Sequence, residues 1–501
     1  MSNPEQIAES PQSESEQVQI RKAKRERIIA EGGEAYPVNL PITSDIAAVR
    51  AQYGHLPAGE YTGQVVGLAG RVVFVRNAGK LCFAALQDGA GNRIQAMLSA
   101  ATIGAEALAA FKADVDLGDH LFVRGEVGTS KRGELSIFVE NWQLAAKALR
   151  PLPVLHKELS EESRVRRRYV DLIARPAARD MVRLRANVVR SLRENLHRRG
   201  YIEVETPMLQ TVASGAAARP FRTHMNAYDI DLNLRIAPEL HLKRAVVGGV
   251  ERVFEINRNF RNEGADSSHA PEFAMLEAYQ AYGDYLQMAE LTQDLVQTAA
   301  MDALGTTTIT LPDGSAYELG GQWQRLHLYD SLSQAAGQVI TPDWSIAQLL
   351  DLAQSLGLDL TKKATSAGRL VEALWEHLVG DHLVAPTFVM DFPVETSPLT
   401  RDHREKPGLV EKWDLYVRGF ELATAYSELV DPVIQRERFL AQAKFAAAGD
   451  DEAMPIDEDF LEAMEYAMPP AGGMGMGIDR LLMALTGQGI RETILFPLVK
   501  P

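Results

Sequence analysis

One cysteine, Cys82, stands among 501 residues. A lone thiol excludes an intrachain disulfide framework and a cysteine-based zinc site, and its plain reading is a small buried residue in a strand. No apolar run reaches the roughly 18 to 20 residues needed to span a bilayer. The N-terminus carries Glu5, Glu9, Glu14 and Glu16 and no apolar h-region. No secretory signal is therefore expected, and a cytoplasmic protein without a membrane partner is the default. A Gly-Lys-Ser/Thr phosphate loop is missing, as are the Rossmann glycine fingerprint and regular βαβ alternation. Positive charge is short: 52 Lys and Arg against 67 Asp and Glu leave a net charge of −15, which argues against a simple nucleic-acid binder. The total does not exclude a local patch. Arg21, Lys22, Lys24, Arg25 and Arg27 form a basic block opposed only by Glu26, readable as a solvated helix face or as a phosphate contact.

What is present is ordinary for a globular chain, with 46% hydrophobic and 24% charged residues. Residues 1–15, rich in Ser, Glu, Gln and Pro, read as a disordered tail. Residues 16–59 read as a basic helix, stopped by Gly32-Gly33, and a connector. Over residues 60–148 the pattern turns to short strands. Gln64–Arg76 reads as a pair of runs, followed by Leu81–Gln87, Arg93–Met97, His120–Glu126 and Leu135–Val139, with a helix over 101–111. Five strands with a helix between the third and fourth is the OB-fold pattern. Pro151-Leu-Pro153 opens a charged linker over 149–176. The remaining 177–501 mixes strands and helices, which favours an α+β domain on an antiparallel sheet.

Three segments of this larger domain carry chemical interest. Arg199-Gly-Tyr-Ile-Glu-Val-Glu-Thr-Pro207 ends a long helix and begins a short strand. Phe254–Gly264 and Pro271–Tyr279 read as two strands joined by a polar loop, with Arg261 and Glu263 sharing one face by period two and Phe273, Glu277 and Tyr279 sharing another. Arginine beside glutamate on a buried face calls for a polar ligand or a mutual ion pair. Gly473-Met-Gly-Met-Gly-Ile-Asp-Arg480 then leads into an apolar helix. Glycine lets a flat ligand approach the backbone, and an arginine at the strand end can cover a ring or grip a phosphate.

In this order the segments resemble the three motifs of class II aminoacyl-tRNA synthetases. Arg219-Pro-Phe221, Leu234–Leu240, Leu242-Lys-Arg244, Phe260–Gly264, Tyr426–Leu429, Asp457-Glu-Asp459 and Ile490–Pro497 look like the lysyl-tRNA synthetases of subclass IIb. The resemblance runs from about residue 16 to the C-terminus. It implies ATP-dependent activation of L-lysine and transfer to the 3′ end of tRNA(Lys), with Mg2+ as cofactor and a homodimer as the assembly. It implies that Arg261 meets the α-phosphate and the lysine carboxylate. Glu263 and Phe273 would hold adenine, Arg480 its other face, and His269 would lie near the phosphates. Asp414 and Glu421, which bracket the turn Arg418-Gly419, match the magnesium ligands. Gly215 and Glu239 match the α-amino site and Glu428 the ε-amino site, helped by Glu277 and Tyr279, with Thr424 near the carboxylate. In the barrel, Arg76, Phe83, Gln95 and Glu134 match anticodon-reading positions, although Phe83 also reads as ordinary core.

The chain departs from the usual lysyl pattern at Ser214, Ser268, Ala270 and Thr424, where glycine, arginine, asparagine and asparagine are common. Ser268 touches on the grip on ATP, and Thr424 on that of the substrate carboxylate. Two other readings follow: a synthetase paralog that lysylates a non-tRNA acceptor, and a non-catalytic RNA-binding protein. The retained barrel argues against the first, and the retained ATP and metal residues against the second.

Overall fold

The computed structural model describes residues 15–153, 159–266, 268–447 and 454–500. The chain divides into two compact units, one ending at Arg179 and one beginning at Asp180. Nearly all of the expected tail, and residues 154–158 of the expected linker, lie outside the described residues.

In the first unit the helix Glu16–Ala30 uses its basic block structurally. Arg21 is buried and donates to the carbonyls of Leu117 and Ala148, both at 3.0 Å. Lys24 pairs with Asp116 at 2.7 Å, and Arg27 pairs with Asp114. A buried guanidinium needs such acceptors. This part of the block is neither a solvated face nor free for phosphate.

Five strands close a barrel in the order β1-β2-β3-β5-β4: β1 Tyr61–Ala78, β2 Leu81–Gln87, β3 Arg93–Ser99, β4 His120–Thr129 and β5 Leu135–Ala146. Helices Ala100–Ile103 and Ala105–Asp114 fill the gap between β3 and β4. The expected pair of runs over 64–76 is one long strand. It pairs with β4 along its first part and β2 along its second, with a register shift between Val72 and Phe74. Such a shift bends a strand around a barrel. Cys82, Ala84 and Leu86 point into the core, while Phe83 is half-buried on the outward-facing side. The charged linker also folds: Glu161–Arg166 and Arg168–Ala174 are helices. Ser160 caps the first, and its terminal acids and arginines oppose the helix dipole.

The second unit is built on an eight-stranded sheet. Its strands are β6 Ile202–Glu203, β10 Arg252–Phe260, β11 Glu272–Ala281, β14 Gln324–His327, β15 Thr387–Pro393, β16 Leu409–Val417, β17 Phe420–Ser427 and β18 Ala471–Gly477. A three-stranded sheet holds β7 Leu209–Gln210, β8 Arg222–Met225 and β9 Ile230–Leu234, and a small hairpin holds β12 Thr308–Thr310 and β13 Ala316–Glu318. The large sheet runs β14-β15-β16-β17-β18-β11-β10-β6, antiparallel except for its two parallel edge pairs. Period-two alternation divides its faces. Leu276, Ala278, Trp413, Leu415, Ala423, Ala425, Met474 and Met476 pack into one core with the helices Tyr285–Leu304 and Ile478–Thr486. Asp284 caps the first of these helices through the amides of Leu286 and Gln287. The other face carries polar residues and glycines. No helix among the described residues is long and apolar enough to cross a membrane.

Candidate functional site

The alternation Gly-Met-Gly-Met-Gly on β18 builds the floor of the site. Both methionines go to the core, leaving Gly473, Gly475 and Gly477 on the opposite face. Across β11, Tyr279 lies opposite Gly473 and Glu277 opposite Gly475; across β17, Tyr426 and Thr424 take the same two places. The missing side chains open a cavity of about 430 Å³. A Cβ on Gly475 would come within 2.5 Å of Met275. These glycines serve close approach.

Every residue expected to bind ATP, lysine or metal lines this cavity except Glu428. Glu428 follows Thr424 and Tyr426 by period two, just past the end of β17, and is fully enclosed. It forms an ion pair with Lys243, whose ammonium also donates to Glu239 Oε1 at 2.6 Å. Tyr426 donates to Glu239 Oε2 at 2.8 Å, and Tyr279 donates to Glu277 Oε2 at 3.2 Å. Two buried carboxyls, Glu239 and Glu428, thus share one internal ammonium, while a third, Glu277, has its opposing charge in Arg261. Burial, reinforced by the charge of Glu239, pushes the Glu277 carboxyl up to about 8. Burial also raises Glu428 to about 8, against the pull of Lys243.

At the other end of the cavity Arg261 lies in the loop past the end of β10, with Glu263 exposed two residues on. Their expected shared strand face is therefore a loop, because pairing stops at Phe260. The Arg261 guanidinium stands 5.1 Å from the Phe273 ring centroid, and its buried Nε has no hydrogen-bond partner among the described residues. Burial lowers its pKa, while Glu263, Glu421 and Glu277 work the other way. Arg480, in the first turn after β18, donates to the Glu421 carbonyl at 2.6 Å and approaches His269 Nε2 at 3.4 Å. His269 is held by Asp266, whose carboxyl is kept well below its usual range by hydrogen bonds led by the Ser268 amide.

Asp414 and Glu421 sit on the hairpin β16–β17, turned by Arg418 and Gly419, both at positive φ. They are not directly opposed: Asp414 faces Thr424, and Glu421 faces Tyr416. Lys412 approaches Asp414 Oδ2 at 3.2 Å, and Asp414 Oδ1 is buried with no hydrogen-bond partner among the described residues. Burial raises Asp414 to about 6; Lys412 opposes that shift and Glu421 adds to it. A carboxylate oxygen left unpaired beside a second acid suits a divalent cation. No cluster of three or more His, Cys, Asp or Glu side chains that could hold a metal is found among the described residues. The oxygens of a nucleotide would complete the set.

The departures have local explanations. Ser214 donates to Asp457 at 3.2 Å, Ser268 to Asp266 at 3.0 Å, and Ala270 packs against Met483, Ile490 and Ile494. Thr424 lines the cavity, its hydroxyl 3.4 Å from the Trp413 carbonyl. Sequence reasoning gave no role to Lys243, Lys412 or Tyr426. Lys243, one helical turn after Glu239, and Lys412, two residues before Asp414, carry a spacing signal that finds them.

On the barrel Arg76 and Phe83 are cross-strand partners, with the guanidinium 5.3 Å from the ring centroid. Gln95 donates to Ser136 at 2.9 Å, and Glu134 is exposed in the β4–β5 turn. All four expected anticodon positions lie outside the barrel core.

Residues 160–500 match the family model described as tRNA synthetases class II (D, K and N), and residues 66–145 match the OB-fold nucleic acid binding domain. A lysine–tRNA ligase of Kineococcus radiotolerans is 65% identical over 486 residues, covering 97% of each chain. One from Mycobacterium tuberculosis strain H37Ra is 59% identical over 499 residues, covering 99% of each. The lysylphosphatidylglycerol biosynthesis bifunctional protein LysX of Nocardia farcinica is 48% identical over 491 residues, 97% of this chain but 43% of that protein. With a glycine-floored cavity, an arginine at each side of one end of it and an OB-fold barrel before it in sequence, the chain belongs to the class II tRNA synthetases of the D, K and N family, among the lysine–tRNA ligases.

Proposed function

We propose that this enzyme activates L-lysine with ATP and passes the lysyl group to the 3′ end of tRNA(Lys) in the cytoplasm. The observation that carries the choice of lysine is the charge balance of the pocket. Glu239 and Glu428 share the single ammonium of Lys243, and the enclosed Glu277 carboxyl has its opposing charge, among the described residues, only in Arg261, so a ligand with two ammonium groups would supply positive charge that these acids lack. A neutral or acidic side chain would leave buried carboxyls unpaired. Glu239 and the backbone at Gly215 would hold the α-amino group. Glu428, with Glu277 and Tyr279, would hold the ε-amino group.

In the first step a lysine carboxylate oxygen attacks the α-phosphorus, the bridging bond to the β-phosphate breaks, and diphosphate leaves. Arg261 would hold both reacting groups through its guanidinium fork, and Thr424 would help orient the carboxylate. Glu263 would bond adenine, Phe273 and Arg480 would cover its faces, and His269 would meet the outer phosphates. When bound, Mg2+ at Asp414 and Glu421 would neutralise phosphate charge. In the second step a hydroxyl of the terminal tRNA ribose attacks the lysyl carbonyl and AMP leaves. Neither step requires a side-chain nucleophile. Arg76, Phe83, Gln95 and Glu134 would read the anticodon, with unpaired bases stacking on Phe83.

A homodimer belongs to the same reading. Ile202 on the edge strand β6, with Met208 and Leu209, leaves apolar surface exposed next to the long helix of the first motif. The test of the reaction is ATP–diphosphate exchange with each of the standard amino acids. Exchange with lysine is expected; exchange with another amino acid in its place would reject the proposal.

A further inference from the structure

We propose that Lys243 is a specificity-determining positioning residue, an internal ammonium that joins Glu239 and Glu428 into one acidic site for a doubly charged amino acid. The inference rests on the lysine reading above. Lys243 is fully buried on the helix Glu239–Val247 and does not line the cavity, so it acts through the two acids it bridges. Each acid gives it one oxygen and keeps the other. Glu239 Oε1 and Glu428 Oε2 meet the Lys243 ammonium. Glu239 Oε2 accepts from Tyr426, while Glu428 Oε1 has no hydrogen-bond partner among the described residues and lies against Gly473 and Tyr279. The Lys243 ammonium also stands 5.5 Å from the Tyr426 ring centroid.

The charged and titratable groups facing this pair are Glu239 on the same helix, Glu277 and Tyr279 on β11, and Tyr426 on β17. With Lys243 in place, Glu239 and Glu428 share one ammonium. Without it these two acids would face none, and burial would favour the protonated form of Glu428 more strongly. Protonated Glu428 would no longer attract the substrate amine. Loss of the Lys243 charge should therefore weaken lysine binding most at low pH and least at high pH. Lys243 also fixes the geometry: one ammonium shared by two acids holds their remaining oxygens at a set separation along the ligand.

The experiment compares wild type, Lys243→Met and Lys243→Arg in lysine-dependent ATP–diphosphate exchange across a pH series. Lys243→Met should raise the KM for lysine roughly tenfold or more at neutral pH while the KM for ATP stays near that of wild type. The pH at which lysine binding strengthens should move upward, and Lys243→Arg should restore part of both. In the background Glu428→Gln the same Met substitution should cost less, because one of the bridged charges is gone. An unchanged lysine KM and pH profile in Lys243→Met overturns the proposal, as does an equal loss for lysine and ATP. If Lys243→Met does not fold by circular dichroism, Lys243→Gln, uncharged but able to donate, carries the same comparison. Absence of lysine-dependent exchange in the wild type overturns the lysine reading itself and this inference with it, whereas wild-type exchange with unmoved variants overturns only the inference.

Discussion

Gly473 lies against Glu428: a methyl added to Gly473 would overlap both Glu428 Oε1 and the ring of Tyr279. The glycine is thus what allows two fully enclosed side chains from neighbouring strands to meet over β18. Gly473→Ala should destabilise the enzyme by about 1–3 kcal/mol through overpacking and abolish exchange with lysine. Chemical denaturation and the exchange assay measure the two effects. A variant of normal stability and normal lysine KM would show that this contact is not there.

The raised carboxyls give lysine binding a pH dependence with a definite sign. Glu277 and Glu428 both titrate near 8, above the ordinary carboxyl value. The stabilisation that comes from keeping them protonated is complete below about 4 and is lost as the pH rises through about 8. Lysine, bringing positive charge, favours the ionised forms. At neutral pH its binding should release between about one and two protons, and its affinity should rise toward pH 8. Calorimetry in buffers of different ionisation enthalpy reads the release directly. Binding with no proton exchange would contradict this charge state of the pocket.

Arg261 presents a partner-free Nε beside Phe273. Lysine in its place keeps the charge but loses the fork that spans two reacting groups. Arg261→Lys should lower the exchange rate by about 10²–10³, with the folding transition nearly unmoved. Equal exchange rates in the two proteins would remove Arg261 from the reaction.

The outer face of the barrel gives a separable prediction. Phe83→Ala should weaken tRNA binding by about 1–3 kcal/mol, the usual size of one base stacking on an aromatic ring, and leave lysine-dependent exchange unchanged. Aminoacylation kinetics with tRNA transcript, set beside exchange, separate these. A loss confined to exchange would mean that Phe83 supports folding rather than RNA.

Much of the fold was legible in the sequence because it rests on short-range periodicity. The strands β2 and β11, the helix after Gly477 and the hairpin at Arg418-Gly419 follow from alternation and turn chemistry within a few residues. The single curved β1 did not, since whether two runs form one strand depends on partners far away in the chain. The helices over 161–174 also escaped, hidden among charges that read as a connector. The basic block near the N-terminus looked available to a partner, yet Arg21 and Lys24 are taken up by carbonyls and an acid more than 90 residues distant.

By itself, the sequence determined which groups this enzyme possesses: an arginine after a strand, alternating glycines, paired acids on a hairpin and an ordered set of family motifs. Only the tertiary structure decided how those groups are charged and joined. Lys243 lies one helical turn after Glu239, but Glu428 is 189 positions from Glu239 and no periodicity links it to either. Packing of the helix Glu239–Val247 on the sheet brings them together in an enclosed volume, where one ammonium serves two carboxyls. Pairing of that kind depends on burial and distance, which are properties of the folded chain and not of any segment of it.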